Sequence, residues 1–64
     1  MSAFVLTDNQ RAVLTFLDAY GPASEATICD HLMTTDRGCA QTVGSLRRRG
    51  YIKRARDGVR WERA

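Results

Sequence analysis

The chain has one histidine, one proline and two cysteines in 64 residues, and no long uninterrupted apolar run. Each scarcity excludes something. A membrane-spanning helix needs about 20 consecutive apolar residues, so no transmembrane segment is read here. The opening MSAFVLTDNQR carries neither a basic n-region nor an apolar h-region, so no secretory signal is read either. A cytoplasmic location is expected. Cys29 and Cys39 make a poor oxidised framework, because small disulfide scaffolds usually carry four, six or eight cysteines; both are expected to be reduced. Structural zinc wants four ligands at compact spacing, and Cys29, His31 and Cys39 supply three, so neither a metal nor another cofactor is expected. His31 has no organised nucleophile near it in sequence, and no enzymatic activity is expected.

Size limits the rest. A chain of this length forms one domain and buries roughly 60% of the surface its unfolded state exposes. Nearly every well-placed apolar residue must serve the core, with no room for a second lobe or a ligand pocket. The sequence shows no repeat, low-complexity segment or linker.

Acidic residues are scarce in the second half. Residues 1 to 36 hold one basic residue, Arg11, against Asp8, Asp18, Glu25, Asp30 and Asp36, a balance of −4. Residues 37 to 64 hold nine basic residues against Asp57 and Glu62, a balance of +7. Basicity gathered in this way points to an anionic partner, with nucleic acid first and an acidic protein surface or a membrane after it.

The periodicity predicts three helices and a hairpin. Residues 1–6 form an apolar arm that either adds a strand or packs across the first helix. Thr7 and Gln10 have the capping-box spacing, and Val13, Phe16, Leu17 and Tyr20 follow at i, i+3, i+4 and i+7, until Gly21 and Pro22 end the helix. Ser24 is the next N-cap; Ala26, Ile28, Cys29, Leu32 and Met33 form the apolar side of a short helix ending near Thr34. After a tight turn a third helix starts at Asp36 or Arg37 and runs to Arg49. Cys39, Val43 and Leu46 face inward, and Gly50 is the left-handed stop. YIKRA and VRWER then flank Asp57-Gly58, a strong hairpin signal. A two-residue loop there pairs Arg56 with Val59, Arg54 with Trp61 and Ile52 with Arg63. The fold class is α+β, mostly α.

Two helices joined by a tight turn, a terminal basic hairpin and the segment LRRRGYI resemble the winged helix-turn-helix family of bacterial, archaeal and phage regulators. The resemblance covers residues 7–63. It implies a third helix seated in the major groove of double-stranded DNA and a wing beside the phosphates. Carried onto this chain, the base-reading residues would be Arg37, Gln41, Thr42 and Ser45, types able to address guanine, adenine and thymine edges. The phosphate-binding residues would be Thr35, Arg47, Arg48, Arg49, Lys53, Arg54, Arg56 and Arg60. Gly38 and Gly44 are costly inside a helix, and close approach to DNA or to another helix would explain them. The function implied is sequence-specific binding by a transcriptional regulator or DNA-architecture factor of the size phages and plasmids encode.

Other readings stand beside these. Trp61 reads first as core, with Arg54 opposite it and able to lie on its ring, which would remove that arginine from phosphate duty. Tyr51 reads equally as structural. With no further helix after the wing, a monomer or weak homodimer is expected. The alternative function is a protein-docking module, for example a phage antagonist of a host complex, acting through the basic face. Left-handed nucleic acid is set aside, because the third helix has neither Asn nor Tyr.

Overall fold

The computed structural model describes residues 5–64. Its elements run α1 (Asp8–Tyr20), α2 (Glu25–Leu32), α3 (Asp36–Arg48), β1 (Ile52–Arg54) and β2 (Trp61–Arg63). Residues 1–4 of the arm lie outside the described residues; of its remainder, Val5 is exposed and Leu6 packs against the core.

α1 opens on the capping box that the sequence predicts. The Thr7 hydroxyl accepts from the Gln10 amide at 3.1 Å, and the Gln10 side-chain carbonyl accepts from the Thr7 amide at 2.9 Å. Gly21, at φ 83°, closes the helix by donating its N–H to the Leu17 carbonyl. The inward face is Gln10, Val13, Leu14 and Leu17, which corrects the expected stripe of Val13, Phe16, Leu17 and Tyr20. Both sets satisfy the i, i+3, i+4, i+7 pattern, and packing chooses the one carrying Leu14. Phe16 is left on the flank, and Tyr20 is 75% exposed. Their rings stack at 5.0 Å, and His31 meets Phe16 at 4.5 Å.

α2 starts at Ser24, whose hydroxyl accepts from the Thr27 amide, and Ile28 is its one buried residue. Met33 lies beyond the helix as a left-handed cap at φ 56° and is 91% exposed, and Ala26 is exposed as well. Neither belongs to the expected apolar side. α3 is capped by Thr35 and buries Cys39, Val43 and Leu46 as expected, together with Thr42.

Cys29 of α2 and Cys39 of α3 are joined by a disulfide, with Cα atoms 5.5 Å apart. The expectation of two reduced thiols is therefore overturned. Cysteine counting describes scaffolds that depend on several bridges, whereas here a single bridge joins two helices that already pack on a common core. The bond also takes both sulfurs out of any thiolate ligand set with His31.

The strands pair antiparallel, Ile52 with Arg63, Lys53 with Glu62 and Arg54 with Trp61, in the predicted register. The loop is longer than predicted. Ala55 donates to the Arg60 carbonyl, and Gly58, at φ 74°, donates to the Ala55 carbonyl, so Arg56 and Val59 lie in the turn rather than in the ladder. Asp57 selects this form. Its carboxylate accepts from the amides of both Val59 and Arg60, an arrangement a two-residue turn would not provide. On its other edge, β2 meets Ala23 through Ala23 N–H to Trp61 carbonyl (3.0 Å) and Trp61 N–H to Ala23 carbonyl (2.8 Å). Trp61 thus sits between the hairpin and the α1–α2 connection, 3% exposed, in a core with Val13, Leu17, Ile28, Cys39, Val43, Leu46 and Ile52.

Candidate nucleic-acid interface

α3 places its residues by helical geometry. With Cys39, Val43 and Leu46 buried, Arg37, Gln41, Gly44 and Arg48 fall on one face at spacings of four, three and four. Arg37, Gln41 and Arg48 are exposed. The middle of the stripe has no side chain: a Cβ at Gly44 would meet only a guanidinium nitrogen of Arg48, at 3.7 Å. The helix backbone at the centre of this face is therefore covered only by the Arg48 side chain. Gly38 has a different origin. A Cβ there would stand 3.1 Å from the hydroxyls of both Thr34 and Thr35, so local crowding at the helix start, rather than an external partner, accounts for this glycine.

Two of the four expected base readers are turned inward. Thr42 is buried and its hydroxyl donates to the Gly38 carbonyl at 2.9 Å. Ser45 is half-buried and its hydroxyl accepts from the Gln10 side-chain amide at 3.0 Å. This corrects the placement of both on the outward face. They lie on the flanks of a helix whose buried arc is wider than Cys39, Val43 and Leu46 alone define. Arg37 and Gln41 remain outward.

The expected phosphate contacts also divide. Arg47, Arg48, Lys53 and Arg56 are exposed and form no ion pair among the described residues, and the same holds for Arg37. Arg49, the C-cap of α3, is exposed too. The Thr35 hydroxyl is engaged as the N-cap, accepting from Gly38 N–H. Arg54 lies over the Trp61 ring, 4.1 Å from its centroid, and donates to the Val59 carbonyl. Arg60 is held by Asp57, Nε to Oδ2, at 2.6 Å. Arg63, absent from the expected set, reaches Asp18 of α1 at 3.1 Å and the Tyr51 carbonyl.

Asp57 is the acid of the hairpin loop, while Glu62 stands opposite Lys53 in the ladder. Two backbone amides and the Arg60 guanidinium stabilise the Asp57 carboxylate and lower its pKa to about 2. Its charge is spent within the loop, so it does little to offset Lys53 and Arg56. No helix among the described residues is long and apolar enough to cross a membrane.

A family model described as a winged helix DNA-binding domain matches residues 6–60. No curated protein and no solved structure matches the chain.

Proposed function

Because the chain belongs to the winged helix DNA-binding domain family, we propose that it is a sequence-specific double-stranded-DNA-binding protein, a transcriptional regulator or DNA-architecture factor. α3 enters the major groove with Arg37 and Gln41 addressing base edges, and the Gly44 backbone lies against the groove. Arg47, Arg48 and Arg49 at the end of α3, with Lys53 and Arg56 on the hairpin, hold phosphates. Arg54, Arg60 and Thr35 contribute less, because their polar groups already have partners within the fold.

The observation that carries this reading is the α3 stripe of Arg37, Gln41, Gly44 and Arg48, which joins two exposed cations, an exposed amide and a backbone stretch with no side chain of its own on one face. A protein-docking face would instead present an apolar anchor to bury. Among the described residues the exposed large apolar and aromatic side chains, Val5, Tyr20, Met33 and Val59, all lie off this stripe.

The test is fluorescence anisotropy of a labelled duplex titrated with the protein from low to physiological salt, alongside Arg48→Ala and Arg56→Ala. With five phosphate contacts, log K should fall against log salt with a slope of roughly −4 to −5, and each variant should reduce it by about 1. No binding by the wild type at low salt would overturn the proposal and direct attention to an acidic protein partner.

A further inference from the structure

The Cys29–Cys39 bridge plays no part in the duplex-binding reading, yet it lies inside the helix pair on which that reading depends. α2 has eight residues and one fully buried side chain, Ile28. A helix that short has little stability alone, so it holds its place through tertiary contacts. Those contacts are Ile28, the partly buried Leu32 and Cys29, the His31 ring against Phe16 of α1, and the covalent bond to α3. On α3 the bond is anchored at Cys39, fully buried and two residues from both Arg37 and Gln41.

The magnitude of the constraint decides its importance. A cross-link between residues 10 apart in sequence shifts the folding equilibrium by roughly a hundredfold through loss of freedom in the unfolded chain. A domain of this size has a folding constant of only about a hundred to a few thousand from its core. The bridge is therefore comparable to the whole margin, and α2 is the element that feels it most.

We propose that the Cys29–Cys39 pair is a redox site: reduction by a dithiol releases α2 from α3 and weakens duplex binding, and reoxidation restores it. The proposal rests on the duplex-binding reading for its second half only. Compartments in which proteins meet DNA commonly hold dithiol reductants, so the bond meets a reactant of the required class. A reductant thiolate attacks Sγ of Cys29, the less buried residue of the pair, forming a mixed disulfide and expelling Cys39 as a thiolate, which takes up a proton. The second thiol of the reductant then attacks its own sulfur in the mixed disulfide and releases Cys29. Two electrons pass from the dithiol to the bridge; the reductant ends as a disulfide and the protein as two thiols.

The experiment uses the full chain with and without dithiothreitol, following thiol count, amide hydrogen exchange across α2 and duplex anisotropy. The expected result is no titratable thiol before reduction and two after it. Exchange of the α2 amides should quicken at least tenfold, duplex affinity should fall at least tenfold, and both should recover on reoxidation. A reduced chain with two thiols and unchanged exchange and affinity would overturn the proposal, as would two free thiols in the air-oxidised chain. A Cys29→Ala/Cys39→Ala chain should not respond to dithiothreitol, and a response there would overturn the assignment to this pair. If α2 exchange responds but the oxidised chain binds no duplex, the redox site stands and the duplex-binding reading falls.

Discussion

The Arg54 guanidinium lies over the face of Trp61 at 4.1 Å while its Nη1 donates to the Val59 carbonyl, so one side chain ties the hairpin's first strand, its loop and the core tryptophan together. An arginine held in this way is a structural cation. Arg54→Ala should lower stability by about 0.5–1 kcal/mol, the size of an exposed cation–π contact. It should change the salt slope of duplex binding less than Arg48→Ala does. Urea unfolding and salt-dependent anisotropy on the same preparations check the two halves.

Gln10 links the start of α1 to the middle of α3. Its carbonyl completes the cap on Thr7, and its amide, in a residue that is itself buried, donates to Ser45. Gln10→Ala should cost about 1–3 kcal/mol, since it removes a cap partner and a partly buried hydrogen bond. Ser45→Ala should cost about 1 kcal/mol by leaving the Gln10 amide short of an acceptor. A double-mutant cycle by urea unfolding should return a coupling of about 0.5–1.5 kcal/mol; zero coupling would mean that the bond contributes nothing in solution.

Much of this architecture is legible in the residues because local signals and global packing agree. Thr7 and Ser24 are caps by chemistry alone, whereas Thr34, Thr35 and Asp36 can all cap and the fold uses Thr35; Arg54 opposite Trp61 follows from period-two pairing once a turn is located at Asp57-Gly58. What escapes a linear reading is decided between elements. Two apolar stripes compete on α1, and only packing against α2, α3 and β2 selects the one with Leu14. The bridge between Ala23 and Trp61 joins segments nearly 40 positions apart, and nothing in Gly21-Pro22-Ala23 announces it. The disulfide depends on how α2 crosses α3. Thr42 and Ser45 are polar, and polarity alone does not tell an outward hydroxyl from one satisfied within the fold.

Asp57 gives the hairpin a pH response. The folded-state pKa, about 2, lies below the ordinary value of 3.8, because amides and Arg60 bind the ionised form. Its contribution to loop order is therefore fully present above about pH 4 and is lost as pH falls toward 2. The Val59 and Arg60 amide resonances should titrate with a midpoint near 2. Asp57→Asn should abolish that titration and loosen the loop at neutral pH. A midpoint near 4 would mean that the carboxylate is not held by these donors.

Gly44 separates stability from binding. Within the fold nothing opposes a methyl group there, since the nearest atom to a built Cβ is the Arg48 guanidinium at ordinary contact distance. Alanine is also the better helix former, so Gly44→Ala should stabilise the domain by up to about 1 kcal/mol and raise its urea midpoint. On the duplex the sign reverses. If Arg37, Gln41 and Arg48 straddle this glycine against the groove, the added methyl holds the backbone away from the bases and should lower affinity at least tenfold. Loss through unfolding is ruled out in the same experiment by the higher midpoint. A chain that is more stable and binds just as tightly would show that the centre of this stripe does not meet DNA, and the search for the interface would then move to the hairpin and the Arg47, Arg48 and Arg49 end of α3.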